Sequence, residues 1–283
     1  MKDFNDKVAV ITGAGSGIGR SLALQLASSG SDLALSDVKE DSVAETAVMC
    51  ERLGARVIVT KLDVADRDAV YVHAGEVANE FGRVNLMFNN AGVALGADVL
   101  DMSWEDFEWL MNIDFWGVAH GTKAFLPHLI ESGDGHLVNV SSVFGLMGIP
   151  MQSAYNAAKF AVRGFTESVR QEMRIARHPV GVTCVHPGGI KTNIIANARG
   201  MEQSPEMDEV LNKGFQLIAL TKPDSAARII LKGVRRNKPR VLIGPDARGF
   251  DFIPRVIGPR YQDIGAPLTR AGLRIGEKLG ISL

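Results

Sequence analysis

The segment Thr12-Gly13-Ala14-Gly15-Ser16-Gly17-Ile18-Gly19 constrains this chain more than any other. It follows a β-branched run at 7–12 and leads into Ile18, Leu22 and Leu26, spaced at i, i+4 and i+8 and joined by Ala23. The short apolar run reads as a buried strand, and the 3.6-residue stripe reads as an amphipathic helix. Glycines between them let the backbone turn tightly and approach a ligand with no Cβ in the way. The helix start adds unpaired N–H groups and the positive end of a dipole, which together favour a phosphate. Strand before and helix after separate this segment from a chance glycine-rich turn.

The alternation continues along the chain. Further strands are expected at 32–36, 56–60, 84–88, 136–141, 180–185 and 240–244. Ser42-Val-Ala-Glu45 reads as a capping box opening a helix to about Leu53. Asp66 caps a helix carrying Val70, His73, Val77 and Phe81 on one stripe. Ser103 opens a long helix from Trp104 to about Ile130 that must bend or end near Pro127. Another helix runs from Ser153 to about Ala176. Near-continuously apolar strands alternating with helices predict an α/β fold with a doubly wound parallel sheet covered on both faces. No linker and no internal repeat divides it, so 1–244 reads as a single domain.

Composition excludes several classes. Apolar residues are 46% and charged residues 22%, too much apolar mass for a disordered chain. With 31 basic and 32 acidic residues the net charge is −1, so no global field recruits nucleic acid or an acidic membrane. Cys50 and Cys184 form no CxxC pair and read as buried thiols in a reducing cytosol. The first residues hold no apolar export segment, so the expected location is cytoplasmic. Residues 136–158 lack Asp, Glu, Lys and Arg but are rich in Ser, Asn and Tyr, which suits an active-site floor rather than a membrane span.

Two groups point to chemistry. Asp37 lies 18 residues after Gly19, where a carboxylate at the end of the second strand accepts two ribose hydroxyls and repels a 2′-phosphate. With Ser16 in the loop in place of a basic residue, this favours NAD over NADP; Lys39 is the one nearby cation that would oppose it. Tyr155 and Lys159 are four apart on one helix face. A neighbouring ammonium lowers a phenol's pKa and fits it to exchange protons with an alcohol or ketone. Ser141-Ser142 ends the fifth strand, at the sheet edge where such folds bind ligands. No G-x-S-x-G elbow surrounds either serine, which argues against a hydrolase. No His/Cys/Asp cluster at ligand spacing suggests a metal.

Over residues 5 to 245 the sequence resembles the short-chain dehydrogenase/reductase family. The resemblance rests on TGAGSGIG at 12–19, Asp37, Asp63-Val64, NNAG at 89–92, Asn112, Ser142, Tyr155-x-x-x-Lys159 and Pro187-Gly188. It implies a Rossmann-type sheet of seven strands in order 3-2-1-4-5-6-7. It also implies Tyr155 as general acid/base, Lys159 tuning it, Ser142 orienting the carbonyl, and Asn112 holding a relay water. The cofactor would be held by Gly13, Ser16, Gly17, Ile18, Gly19 and Asp37, with Asp63 and Val64 at the adenine. Asn90, Ala91 and Gly92 would line the adenosine side, and Pro187, Gly188, Ile190 and Thr192 the nicotinamide, with Tyr155 and Lys159 also touching it. Homodimers or homotetramers are expected through the helices around 103–130 and 153–177.

The substrate pocket is expected from Val93, Val143, Phe144, Met147, Ile194 and Met201, an apolar set with no cationic cluster. Past Gly244 the chain departs from a minimal member of the family it resembles, so 245–283 is an extension; it carries Phe250, Phe252, Ile253, Val256, Ile257 and Tyr261 among arginines, with Pro254, Pro259 and Pro267 breaking any long helix. Three positions stay open for it: over the active site of its own or a neighbouring subunit, on a partner subunit elsewhere, or on a membrane surface. The function expected is an NAD-dependent oxidoreductase interconverting a secondary alcohol and a ketone. An NADP-dependent 3-oxoacyl reductase and a non-catalytic nucleotide-sensing protein are the alternatives.

Overall fold

β1 (Val8–Thr12) is buried along its whole length at the middle of a seven-stranded sheet. The computed structural model describes residues 1–192, 194, 198–199, 220–267 and 270. The remaining strands are β2 (Asp32–Asp37), β3 (Val57–Lys61), β4 (Leu86–Asn89), β5 (Gly135–Val140), β6 (Val180–Pro187) and β7 (Arg240–Ile243). Every pairing is parallel, in the expected order 3-2-1-4-5-6-7. The central strands have no solvated face, which is why they read as unbroken apolar runs. The edge strand β3 alternates half-buried and exposed residues instead.

Helices cover both faces. On one side Leu22, Ala23 and Leu26 of α1 (Gly17–Ala27) pack with α2 (Glu40–Glu51) and with Ala227, Ile230 and Val234 of α7 (Pro223–Arg235). On the other, α3 (Arg67–Phe81), α5 (Gly117–Glu131) and α6 (Ser153–Ile175) bury Val70, Phe125, Leu129 and Val169 against Val10, Met87 and Val182. Each such fully buried side chain contributes about 1.5–3 kcal/mol of transfer free energy. No helix among the described residues is long and apolar enough to cross a membrane. Both cysteines are buried free thiols, and burial pushes Cys50 up to about 11 and Cys184 up to about 12.

Three local expectations are corrected. Ser42 does not cap α2: the helix starts at Glu40 after Lys39, and Ser42 sits in its first turn. Glu40 and Asp41 favour that earlier start through the helix dipole. The long helix from Ser103 keeps Pro127 inside α5 and ends at Glu131, next to the expected Ile130. It departs earlier, where α4 (Trp104–Met111) gives way to a π-helical turn at Asn112–Trp116, closed by the Gly117 N–H on the Asn112 carbonyl. Pro254 likewise sits inside a helix, α8 (Pro245–Ile257), which ends at Gly258 in the left-handed region with φ 59°. The Asp66 and Ser103 caps are made as expected, on the N–H groups of Ala69 and Asp106.

A buried polar chain crosses the second core. Asn89 Nδ2 donates to Asn139 Oδ1 at 2.8 Å and to Thr122 Oγ1 at 3.2 Å, and Asn139 Nδ2 donates to Thr166 Oγ1 at 3.0 Å. It stitches β4, β5, α5 and α6 in one register. Gly121 of α5 packs on it: a Cβ there would overlap Asn89 Oδ1 and stand 2.9 Å from Met87 Cε. Gly121→Ala is therefore expected to destabilise the fold by about 1–3 kcal/mol through overpacking and a lost buried hydrogen bond, read from the denaturant midpoint.

Candidate active site

The C-terminal ends of the strands form the site. Thr12 closes β1, and its hydroxyl accepts the N–H groups of Asn90 and Ala91, both at 3.1 Å. Asn90 Nδ2 returns to the carbonyls of Thr12 at 3.0 Å and Gly13 at 3.1 Å. The glycine loop is thus tied to the strand beyond it. Gly19 has no room for a side chain, because a Cβ would overlap the Gly13 carbonyl. The Asn90 amide thereby holds the loop's shape.

The same loop is pinned from the other side. Asp37 Oδ2 accepts the Gly15 N–H at 2.9 Å and Asp37 Oδ1 the Lys39 N–H at 3.0 Å. The carboxylate is held at the end of β2 with lone pairs still directed outward. Arg20, on α1, donates to the Gly15 carbonyl at 2.6 Å, the Ser42 carbonyl at 3.1 Å and Thr46 Oγ1 at 2.9 Å. Its guanidinium is committed to loop and helix.

These residues fit a dinucleotide. Ser16 precedes α1 without a side-chain capping bond, and no acidic residue stands in the first turn. That leaves the helix start suited to a pyrophosphate, with Asp37 suited to two hydroxyls. Val64 is buried against the π-turn, Asp63 is exposed beside it, and Thr192 faces Gly17 with Cγ2. Gly188 donates to the Ile243 carbonyl and Ile190 is buried beside Thr221.

Tyr155, Lys159 and Ser142 come together at the ends of β5 and β6. Tyr155 is 9% exposed, its ring packed on Leu95, Leu110 and Ala158. Lys159 Nζ lies 5.5 Å from the Tyr155 ring centroid and reaches the Val140 carbonyl at 3.4 Å. Burial raises the Tyr155 phenol's pKa, while Lys159 and the Ser142 hydroxyl pull it down. Ser142 Oγ accepts the Phe144 N–H at 3.2 Å. Ser141 points elsewhere and donates to the Lys159 carbonyl at 2.8 Å, anchoring α6.

Asn112 is not part of this group. It is exposed, whereas Asp114, two residues on, is fully buried with Oδ2 3.1 Å from Lys159 Nζ. Asp114 Oδ1 accepts the Val93 N–H at 2.8 Å. The signal for Asp114 was its face: Leu110, Asp114, Gly117, Gly121 and Phe125 share one buried stripe at three- and four-residue steps. His186 was also missed. Its Nδ1 bonds the Ser142 carbonyl at 2.9 Å, and burial lowers it to about 4, so it is neutral and holds that loop.

The extension meets the site in its own chain. Asp246 Oδ2 accepts the Gly189 N–H at 2.7 Å. Phe144 is edge-on to Tyr155 at 6.1 Å and to Phe250 at 5.8 Å. Tyr261 Oη accepts the Gly148 N–H at 3.2 Å. Val93, Val143, Met147 and Ile194 lie half-buried or buried around this rim, and Met201 falls outside the described residues.

A glycine-rich loop after β1, a carboxylate at the end of β2 and a buried tyrosine–lysine pair on a doubly wound sheet are the features of a nicotinamide-dependent oxidoreductase. The family model described as short chain dehydrogenase matches residues 7–203, and the chain belongs to that family. SadH of Mycobacterium tuberculosis, named as an oxidoreductase, is 52% identical over 267 residues, covering 94% of this chain and 96% of its own. A short-chain dehydrogenase/reductase from Burkholderia phymatum, solved in complex with NAD, is 32% identical with a TM-score of 0.83, covering 93% of this chain and 96% of that one. An alcohol dehydrogenase from Thermococcus sibiricus, solved with 5-hydroxy-NADP, is 26% identical with a TM-score of 0.70 over 84% of this chain and 96% of that one. Similar proteins therefore take either dinucleotide. Because Asn112 is exposed, Asn112→Ala is expected to leave kcat and the melting midpoint within the range of an ordinary surface change, about a factor of two in rate.

Proposed function

We propose that the chain interconverts a secondary alcohol and a ketone on an apolar substrate, with NAD(H) as the hydride partner. One observation carries this: a phenol, Tyr155, buried at the sheet edge with the Lys159 ammonium one helical turn away and the Ser142 hydroxyl beside it. An ordinary phenol, with pKa about 10, is a poor proton carrier at neutral pH; burial raises it further, and the Lys159 charge works against that rise. A bound nicotinamide supplies the hydride for reduction or accepts it in oxidation. In oxidation Tyr155 Oη takes the substrate hydroxyl proton; in reduction it returns a proton to the carbonyl oxygen. Ser142 Oγ donates to that oxygen and fixes it beside the phenol. Lys159 stabilises the phenolate that accepts the proton in oxidation and that is left after donation in reduction.

Asp37 supports NAD over NADP. Its carboxylate is fixed by two backbone N–H groups, so it meets two ribose hydroxyls without reorganising and repels a 2′-phosphate. Arg20, the cation on α1 nearest the loop, is turned onto Gly15, Thr46 and Glu45. Phe144 and Phe250 supply an apolar wall next to Tyr155, which suits a substrate without charge. The exposed Trp116 on the π-turn before α5 and the exposed Phe160 on α6 support assembly of identical chains through these helices.

Tyr155→Phe is expected to lower alcohol oxidation by about 10²–10⁴-fold while NADH binding persists, measured by initial rates over an alcohol panel and by fluorescence titration. Turnover near the parent rate would remove Tyr155 from the proton path. Calorimetric titration should give tighter binding of NADH than of NADPH. Asp37→Ala should weaken NADH by about 10–100-fold, the value of a charge-assisted hydrogen-bond pair, and narrow that gap. A parent chain that binds NADPH more tightly would overturn the NAD assignment.

A further inference from the structure

We propose that Asp114 is a positioning residue: as the charge partner of Lys159, it fixes the pH at which Tyr155 gives and takes its proton. The proposal rests on the reading of Tyr155 as the acid/base. Its basis is a contact that no other part of the site explains. Asp114 is completely buried, Lys159 is 4% exposed, and their charged atoms stand 3.1 Å apart. The second carboxylate oxygen is locked by the Val93 N–H, so the side chain cannot swing away. Gly92 packs over both: a Cβ there would stand 3.2 Å from Asp114 Oδ1 and 3.4 Å from Lys159 Nζ.

Either charge alone would be costly in this interior, and together they cancel. Among the described residues, the titratable groups facing the cluster are few. Tyr155 and Lys159 come from α6, Asp114 from the π-turn, and Cys184 from β6. Cys184 is held neutral by burial, at about 12. Ser142 adds a hydroxyl, and Val93 and Val140 add backbone groups. The charge count then decides the direction. With the phenol protonated, Lys159 as ammonium and Asp114 as carboxylate, the cluster is neutral, and releasing a proton leaves it at −1. With a neutral residue at 114 the cluster starts at +1 and releases a proton to reach zero. The second release is easier in a poorly solvated site, whichever of Tyr155 or Lys159 loses the proton. Asp114 thus keeps the phenol protonated to higher pH, and the Asp114 charge acts on Tyr155 in that same upward direction. The phenol is thereby poised as a donor at neutral pH, and alcohol oxidation gains rate as the medium turns alkaline.

Asp114→Asn keeps the size and the acceptor for Val93 while removing the charge. In the full chain, the rising limb of alcohol oxidation against pH is expected to move to lower pH by about one unit or more. The falling limb of carbonyl reduction should move the same way. Superimposable limbs in variant and parent, with or without a drop in kcat, would overturn the proposal and leave Asp114 a purely structural residue. A second readout needs neither cofactor nor substrate. The chain has three tyrosines, so the ultraviolet tyrosinate titration of the chain minus that of its Tyr155→Phe form isolates Tyr155. That step should occur at lower pH in the Asp114→Asn background, and an unmoved step would refute the coupling. If the parent turned over no alcohol or ketone, the reaction assignment would fail while this titration still judged the coupling. Asp114→Ser, smaller and also neutral, should show the same acid shift and stands in if the asparagine variant does not fold.

Discussion

Between β1 and β4 the chain switches from one half of the sheet to the other, and the two loops leaving these strands diverge. That gap must be closed below and open above. Thr12 and Asn90 do the closing: one hydroxyl takes two backbone N–H groups while one amide returns to two carbonyls. The loops leaving β1 and β4 are referenced to this knot. The glycine loop takes its height from it, Asp37 takes its position from the loop through Gly15, and Gly92 two residues on abuts Asp114 and Lys159. A crevice at such a switch point is where open α/β sheets bind their ligands.

Lower in the sheet the buried polar chain from Asn89 to Thr166 has a different role. Its hydrogen bonds replace those lost to water, so its net stabilisation is modest. What it adds is uniqueness: four elements must adopt one mutual register for every donor to find its acceptor. The reacting end of α6 stands above this chain, and Ser141 fixes the same helix through the Lys159 carbonyl. Tyr155 therefore sits on a helix whose placement is over-determined.

Much of this was legible in the sequence. A parallel sheet covered on both faces followed from unbroken apolar runs separated by amphipathic helices, while the strand order came with the resemblance to the short-chain dehydrogenase/reductase family. The glycine loop, Asp37 and the Tyr155–Lys159 spacing are local, so their geometry is set by nearby residues. Asn112 shows where residue type misleads: the type pointed there, but the helical face pointed to Asp114. The π-turn that carries both adds a residue to the helical repeat and is invisible to a fixed period. Pro254 shows a different limit, because tertiary contacts through Asp246, Phe250 and Tyr261 keep helical a segment whose prolines argued otherwise. Those contacts span up to 113 residues and leave no local trace.

The extension's three attachments also order events in time. Residues 245–261 leave the ribosome after every group they touch, and N-terminal parts of a chain fold first during synthesis. Asp246 can reach Gly189, Phe250 can reach Phe144 and Tyr261 can reach Gly148 only after the sheet strands and the tyrosine helix have been synthesised. The contacts at Gly189, Phe144 and Gly148 are therefore among the last that the growing chain can make.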